Sequence, residues 1–290
     1  MRFTLLTDIP VWVRPLAGAL RRRGADVDVV QRPEEIPDDS IVVNRISTRV
    51  ARKQPELAES MRQALLRCEE ESRLVVNGAF CLELGFSKLA QARLFEACGA
   101  RIPRTAEAQP RVRSLPECTV LLKPPAGGFG RGILRLEPGE PPPESLPSGL
   151  PEPWVEQELI APVDGAVHRT ETLGGKILYE ASTPIVPDCF DYCLAHGDTE
   201  GTLRPGSALP FPLQAAVAGI VRAAGMDLGS VEYVLNADNH PVFIDLNPVS
   251  SLHPDAADIL GKEPVERIAE YLLERGRGGR LGFKPRLAKG

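Results

Sequence analysis

The chain has 290 residues, of which 43% are hydrophobic and 25% are charged, and its formal net charge is −5. This length and composition are typical of an ordinary globular protein with room for two or three subdomains. The acidic balance argues against nucleic acid or an anionic membrane as a partner, because either would require a basic face.

The N-terminal segment and the cysteines predict a cytoplasmic protein. The apolar run after Met1 is too short for a signal peptide, and no stretch approaches the roughly 18 apolar residues of a membrane span. Six cysteines are scattered without a CxxC pair, so we expect reduced thiols. Cys189, Cys193 and His196 resemble part of a zinc site, but a fourth ligand and the usual spacing are missing.

Residues 1–76 are expected to form a small α/β unit with a parallel sheet. Apolar runs predict strands at 2–7, 27–30 and 41–44, and a strand at 74–78 ends the unit. Helical periodicity predicts helices at 15–23, which Gly24 ends, and at 54–71.

A further helix is predicted at 87–98, because its apolar residues are spaced for one buried face and Gly99 follows. Lys88 lies in the first turn, where a cation opposes the helix dipole. A phosphate bound at the helix N-terminus would be neutralised by both the lysine and the helix end. The alternative is a solvated surface lysine.

Residues 121–136 are predicted to form a β-hairpin with a glycine-rich tip. Four glycines fall within positions 127–132, and glycine lets the backbone approach an anion closely and direct N–H groups toward it. Lys123 and Arg131 supply charge for phosphate oxygens, and the loop can fold down as a lid. The segment lacks the features of a Walker A loop or a Rossmann fingerprint. The alternative is a flexible hairpin whose lysine extends along the sheet edge.

Residues 137–153 hold seven prolines and are predicted to be a loop. The elements predicted after this loop are strands at 154–160, 165–174, 176–182 and 230–235 and helices at 212–224 and 263–275. Gly174 and Gly175 form the turn between the second and third of these strands. A basic, glycine-rich tail at 276–290 ends the chain.

A final strand at 242–247 leads into an Asp-Leu-Asn-Pro sequence. Side chains alternate along a strand, so Asp245 and Asn247 lie on one face while Ile244 and Leu246 point into the core. Two oxygen donors at one point suit a hard cation such as Mg2+, which is usually shared with substrate phosphates. The alternative is an ordinary strand-to-turn sequence in which both side chains cap local backbone.

Taken in order, these segments resemble the ATP-grasp superfamily, and within it the RimK-like and glutathione-synthetase-like carboxylate–amine ligases. The resemblance covers about residues 74–275 and rests on the joint order and spacing of its elements. These elements are Ser87 with Lys88 opening a helix that closes with residues 99–105, the Lys123 strand with its glycine loop, residues 156–160, His168 with Arg169 before the glycine turn, Glu232, and residues 245–248. The strand end at Asn44 and Arg45 also resembles the RimK-like N-terminal domain.

The resemblance implies an α/β (α+β) protein with the ATP-grasp fold. A small N-terminal α/β domain at 1–76 would precede two α+β lobes, at 77–155 and 156–275, that clasp the nucleotide. Residues 276–290 would remain a flexible tail.

The same resemblance implies ATP and Mg2+ as cofactors, with Mn2+ as an alternative metal. Glu232, Asp245 and Asn247 match the metal ligands, and Arg169 matches a catalytic arginine near the transferred phosphate. Lys123 would be both catalytic and nucleotide-binding. The other residues expected to bind the nucleotide are Lys88, Gly127, Gly128, Phe129, Gly130, Arg131, Gly132, Gln157, Glu158, Leu159 and Asp164.

Departures from the RimK-like pattern limit what the resemblance implies. RimK-like proteins usually carry an acidic residue two positions before the conserved arginine, for the ribose, whereas this chain has Val167 there. Asp164 can substitute, which leaves the ribose contact open. The Arg/Asn-rich segment after the glycine turn is replaced by residues 184–197. These differences argue against ribosomal-protein glutamylation and glutathione synthesis.

The expected activity is an ATP- and Mg2+-dependent ligation of a carboxylate to an amine through an acyl phosphate, with release of ADP and phosphate. Its substrates would be small-molecule or peptide carboxylates and amines, and a homo-oligomer is left open. Two alternatives remain. One is a phosphotransferase of the same fold that acts on a stable hydroxyl acceptor, and the other is a non-catalytic nucleotide-binding module of a biosynthetic complex.

Overall fold

The structure, a computed structural model, describes residues 1–127, 130–146, 153–185, 202–250, 252–253 and 255–278. Several predictions concern residues outside these ranges: the loop positions Gly128 and Phe129, most of the segment 184–197 with the zinc-like group, and the tail beyond 278. Among the described cysteines, Cys68, Cys81, Cys98 and Cys118 are free thiols.

The first sheet contains β1 (Arg2–Leu6), β2 (Asp26–Val30), β3 (Ile41–Asn44) and β4 (Val75–Val76). Its strands are parallel and lie in the order β2-β1-β3-β4, which confirms the predicted parallel sheet. The helices in this part are α1 (Pro10–Arg22), α2 (Arg49–Lys53) and α3 (Pro55–Glu70). α1 begins at Pro10 and not at the predicted residue 15, because Pro10 occupies the first helical position that proline favours.

Two helices, α4 (Ala79–Phe86) and α5 (Lys88–Ala97), lead to a small antiparallel sheet. Its strands are β5 (Thr105–Glu107), β6 (Val120–Lys123), β7 (Leu134–Leu136) and β8 (Val155–Glu158), in the order β5-β8-β6-β7. β6 pairs with β7, which confirms the predicted hairpin around the glycine loop.

The third sheet is antiparallel and has five strands. They are β9 (Ala166–Leu173), β10 (Lys176–Pro184), β11 (Thr202–Pro205), β12 (Leu228–Leu235) and β13 (Pro241–Asn247), in the order β11-β10-β9-β12-β13. The helices in this part are α6 (Phe211–Ala223), α7 (Ala256–Leu260) and α8 (Pro264–Arg277). None of the helices in the described part of the chain is both long and apolar enough to span a membrane.

The hydrophobic cores show how the three sheets are coupled. Phe3 of β1, Leu228 of β12 and Leu272 of α8 belong to one buried cluster, so the first and third sheets share a core. The small sheet has its own core, which includes Val120 and Leu136. Because burial of apolar area supplies most of the stabilisation, the first and third sheets form the more tightly joined pair.

α4 was not predicted, and its composition explains why. Its sequence AFCLELGF has no polar face, and six of its residues are buried: Ala79, Cys81, Leu82, Leu84, Gly85 and Phe86. A helix that is apolar on nearly all sides has no 3.6-residue pattern to detect.

Candidate functional site

Three charged residues form one row across neighbouring strands of the five-stranded sheet. Arg169 on β9 pairs with Glu232 on β12, and Glu232 pairs with Asp245 on β13. The register shifts between Glu232 and the next residue, so that Ile244 lies in a β-bulge. The bulge keeps Asp245 on the face of Glu232 and turns Phe243 to the opposite face.

Glu232 is the centre of this group. Its Oε1 accepts hydrogen bonds from Asn247 Nδ2 at 3.0 Å and from Arg169 Nη1 at 3.1 Å. Burial raises the pKa of the Glu232 carboxyl, the Arg169 guanidinium opposes that rise, and the Asp245 carboxylate adds to it. A buried carboxylate beside a second carboxylate is stabilised by a cation.

The donor set fits a hard divalent cation. Glu232, Asp245 and Asn247 offer carboxylate and carboxamide oxygens on one face, and Mg2+ prefers oxygen ligands of this kind. Within the described residues there is no group of three or more His, Cys, Asp or Glu side chains that can hold a metal ion. The candidate site therefore has two carboxylates and depends on the asparagine for a third ligand.

Two lysines approach the row from other elements. Lys88, in the first turn of α5, donates a hydrogen bond to Asp245 Oδ1. Lys123, at the end of β6, donates a hydrogen bond to Gln157 Oε1 at 2.7 Å. Burial lowers the pKa of Lys123 to about 8, although Asp245 and Glu232 both oppose that shift. The predicted ammonium groups and the predicted metal ligands are thus brought together.

Local structure fixes the Lys88 position. Ser87 caps α5 by accepting a hydrogen bond from the Ala90 N–H at 3.1 Å. The N–H of Lys88 bonds the Pro125 carbonyl oxygen at 3.3 Å, which ties the helix start to the glycine loop. The negative charge of Asp245 offsets the unfavourable interaction between the Lys88 ammonium group and the dipole of α5.

The glycine loop is held at its base by the N-terminal part of the chain. Thr48 Oγ1 donates a hydrogen bond to the Gly127 carbonyl oxygen at 2.6 Å. Gly130 and Gly132 have positive φ angles of 63° and 83°, which favour glycine. Arg131 between them is exposed, and its contact with phosphate stays a prediction.

A small recess lies beside Lys88, between α5 and β13. Its apolar lining includes Phe95, Ile102, Phe243 and Ile244, and Lys88, Gln91 and Gln157 supply its polar lining. In this structure the recess has room for about one water molecule, which is far less than a purine needs.

Glu158 and Leu159, predicted to bind the nucleotide, already have partners. The Glu158 side chain forms an ion pair with Arg104 at 3.1 Å, and its N–H bonds the Arg104 carbonyl oxygen. The Leu159 N–H bonds the Thr119 carbonyl oxygen at 2.9 Å. Of the three adjacent residues, Gln157 is the one whose side chain reaches both the recess and Lys123.

Asp164, considered for the ribose, bonds a residue on the other face of the sheet. Its Oδ2 lies 2.8 Å from Nε2 of His168, which precedes Arg169 on β9 and therefore points the opposite way. The structure does not bring Asp164 together with the Arg169 row, and its ribose contact stays a prediction.

Two residues of this face were not predicted. Arg169 Nε donates to Glu171 Oε1 at 2.9 Å, and Arg169 Nη2 donates to Ser250 Oγ at 2.7 Å. Ser250 Oγ donates in turn to Glu171. Strand alternation places Glu171 on the face of Arg169, so the sequence pattern could have identified it. Ser250 lies in a loop, where no such pattern exists.

The fold of the chain is similar to that of several solved structures. D-cycloserine synthetase DcsG superposes with a TM-score of 0.67 at 16% identity, covering 95% of this chain and 99% of that one. The ATP-grasp ligase PsnB, complexed with minimal precursor, Mg and ADP, gives 0.64 at 15% identity over 94% and 96%. A RimK domain ATP-grasp protein from Sphaerobacter thermophilus DSM 20745 gives 0.62 at 20% identity over 94% and 100%. The chain has the ATP-grasp fold.

No family model matches the sequence, and no curated protein matches it. The evidence for the ATP-grasp fold is therefore structural. In this fold, the predicted phosphate-binding and metal-binding groups come from different elements: Lys123 from the small sheet, Lys88 from α5, and the acidic residues from the five-stranded sheet.

Proposed function

We propose that the chain is an ATP- and Mg2+-dependent ligase that joins a carboxylate to an amine through an acyl phosphate. One observation carries the proposal. Lys88 and Lys123 approach the same face on which Glu232, Asp245 and Asn247 converge. Cations opposite a carboxylate cluster suit a triphosphate held with a divalent metal.

Each group has a distinct task in this proposal. Glu232, Asp245 and Asn247 would hold Mg2+, which supplies charge neutralisation on the phosphates. Lys88 and Lys123 bind phosphate oxygens, and the loop 127–132 covers them. The adenine would lie nearest Gln157, at the end of the small sheet.

Arg169 supports the chemical step. Its guanidinium lies beside Glu232 and is oriented by Glu171 and Ser250. Fixed cations stabilise charge that develops on a transferred phosphoryl group, because they need no reorganisation during the reaction. The substrate carboxylate attacks the γ-phosphorus, and ADP leaves. The amine then attacks the acyl carbon, loses its proton and expels phosphate, which leaves an amide.

The structural neighbours support a ligase with a small-molecule or peptide substrate. PsnB is an ATP-grasp ligase complexed with a precursor, Mg and ADP, and DcsG is a D-cycloserine synthetase. A further neighbour is the macrocyclase MdnC bound with precursor peptide MdnA. These proteins make a carboxylate and an amine the first substrates to test on this chain.

Hydroxylamine trapping tests the reaction class. The protein, Mg2+ and ATP are incubated with a panel of amino acids, dicarboxylates and short peptides, and hydroxylamine replaces the amine. The expected products are a hydroxamate, ADP and phosphate. Release of AMP would overturn the acyl-phosphate route. A stable phosphorylated hydroxyl product would favour the phosphotransferase, and ATP binding without turnover would favour the non-catalytic module.

Two variants test the site assignment. Lys123→Ala and Asp245→Ala should each lower ATP turnover by about 100-fold or more, because each removes a charge from the triphosphate site. The matched controls are Lys176→Ala and Asp238→Ala, which remove the same charges from exposed positions. Unchanged turnover in Lys123→Ala or Asp245→Ala would refute the assignment.

A further inference from the structure

Arg45 reaches the candidate site from the first sheet. It directly follows β3, and its N–H bonds the Leu6 carbonyl oxygen of β1 at 2.8 Å, which fixes the backbone. Its Nη2 donates to the Ser250 carbonyl oxygen at 3.3 Å, so the side chain reaches the loop that follows β13. Arg45 is partly buried at this junction.

Arg45 and Arg169 share Ser250 as a hydrogen-bond partner. Ser250 bonds Arg45 through its carbonyl oxygen and Arg169 through its hydroxyl. Glu171, which is 3% exposed, lies close to both arginines and bonds Arg169 at 2.9 Å. Two cations thus face one buried carboxylate. Arg169 also bonds the carboxylate of Glu232, one of the proposed metal ligands.

Arg45 has hydrogen-bond donors to spare. Within the described residues its side chain makes one hydrogen bond, to a neutral carbonyl, and no ion pair within 4.0 Å. A guanidinium carries five N–H donors. Burial lowers the pKa of Arg45 to about 10, and the charge of Glu171 opposes this only in part. The partly buried guanidinium therefore has fewer protein partners than donors.

Arg113 shows what a structural buried arginine looks like in the same chain. Its Nε bonds Glu156 at 2.8 Å, and its other nitrogens bond four backbone carbonyl oxygens. Those contacts satisfy its donors and its charge. Arg45 has one such bond, although it lies beside the residues assigned to catalysis.

We propose that Arg45 binds a carboxylate group of a substrate, next to Arg169. The proposal rests on the ligase function proposed above and adds a substrate-binding residue from the first sheet. A carboxylate matches the planar guanidinium fork and can accept two parallel hydrogen bonds. Two substrate carboxylates qualify: the one that is phosphorylated, and one carried by an amine substrate that is itself an amino acid.

A binding experiment tests the site without turnover. Protein saturated with Mg2+ and a non-hydrolysable ATP analogue is titrated with succinate and with N-acetyl-L-glutamate by calorimetry. Arg45→Met should weaken binding of these carboxylates at least tenfold, and Arg45→Lys should weaken it less. The affinity for the nucleotide analogue should stay within twofold. Arg14→Met, at an exposed position of α1, is the matched control and should bind like the wild type.

Three results would overturn the proposal: no carboxylate binding by the wild-type protein, equal carboxylate affinity in Arg45→Met, or an equal loss of nucleotide affinity. Thermal unfolding of Arg45→Met checks that the fold is intact. If Met at this position prevents folding, Arg45→Lys decides alone, because it keeps the charge and loses the two-pronged geometry. Its carboxylate affinity must then fall at least threefold while its nucleotide affinity is retained.

Kinetics distinguish the two sources of the carboxylate. If Arg45 binds the phosphorylated carboxylate, Arg45→Met raises the KM for that substrate in the hydroxylamine assay. If it binds the carboxylate of an amino acid acceptor, hydroxamate formation is unchanged and the KM for the acceptor rises in the full ligation. An unchanged KM in both assays refutes the proposal. Failure of the ligase function would appear differently, as Arg45-dependent succinate binding without any hydroxamate or ligation.

Discussion

Lys88 donates a hydrogen bond to Asp245 and thereby joins the first turn of α5 to the end of β13. Both side chains are mostly buried, with 15% and 23% of their surfaces exposed. Lys88 therefore bonds one carboxylate oxygen of Asp245, which is a proposed metal ligand. A cation that binds Asp245 must compete with this ammonium group.

This competition predicts opposite effects of one substitution on metal and nucleotide binding. Lys88→Met should strengthen binding of Mn2+ alone by about tenfold, equivalent to about 1.4 kcal/mol, because Asp245 loses its internal cation. The same variant should weaken ADP binding, because a phosphate partner is lost. Calorimetry with each ligand measures both effects. Weaker Mn2+ binding by Lys88→Met would contradict the competition.

Lys123 predicts proton uptake on nucleotide binding. Burial lowers its pKa to about 8, so near pH 8.5 much of it is neutral in the free protein. A phosphate placed beside it should raise the pKa, and the lysine then takes up a proton. Calorimetric titration with Mg2+ and ADP at about pH 8.5, in two buffers of different ionisation enthalpy, measures this uptake. Lys123→Met should abolish it, and equal heats in both buffers for the wild type would refute the assignment.

The buried cluster around His168 predicts a pH-dependent stability. Burial lowers the pKa of His168, but hydrogen bonds to Glu180 and Asp164 outweigh burial, so the pKa is raised overall. Its stabilising contribution is therefore complete below about pH 6.5, the ordinary histidine pKa, and is lost as the pH rises through the folded-state value. His168→Gln should remove this contribution.

Urea unfolding measures that effect. The difference in free energy of unfolding between the wild type and His168→Gln should be larger at about pH 6 than at about pH 9. His240→Gln, at an exposed turn, is the matched control. The contribution of Glu180 to stability has the opposite pH dependence. Burial raises its pKa, but its contacts with His168 and Tyr233 lower it overall, so its contribution is lost at acidic pH. A pH-independent difference for His168→Gln would refute the linkage.

Replacing Asn77 should cause a large loss of stability, because its side chain joins the first and third sheets. Its Nδ2 donates to the carbonyl oxygens of Leu228 and Pro248 at 2.6 and 2.9 Å, and its Oδ1 accepts from the N–H groups of Asp227 and Leu228. Asn77→Ala leaves these buried groups unpaired and should cost about 3 kcal/mol or more in free energy of unfolding.

The backbone of Asn77 supplies a control for this prediction. Its φ of 56° is left-handed, which glycine adopts without strain. Asn77→Gly should therefore lose the same hydrogen bonds but remain about 1 kcal/mol more stable than Asn77→Ala. Denaturant unfolding of both variants tests the two contributions. A cost below about 1 kcal/mol for Asn77→Ala would contradict the role assigned to its side chain.

The sequence predicted the helices and strands that carry the site better than the short elements elsewhere in the fold. The β6–β7 hairpin, the helix that starts at Lys88 and the strand that ends at Asn247 are all present, because each has a strong local pattern. The short elements α2, α7, β5 and β11 were not predicted, because three to five residues carry too little periodicity. The helix at Pro10 was placed too late because two prolines compete for its start.

The sequence by itself determined which side chains stand together along one strand, such as Asp245 and Asn247, because side-chain alternation is a local property of the backbone. Only the tertiary structure decided that Arg169 and Glu232, 63 positions apart, meet in one row with Asp245. It also decided that Arg45, which follows β3 of the first sheet, bonds Ser250, the residue whose hydroxyl bonds Arg169. The physical reason is that strand register, a β-bulge and a shared core depend on long-range pairing and burial, which no short window of sequence contains.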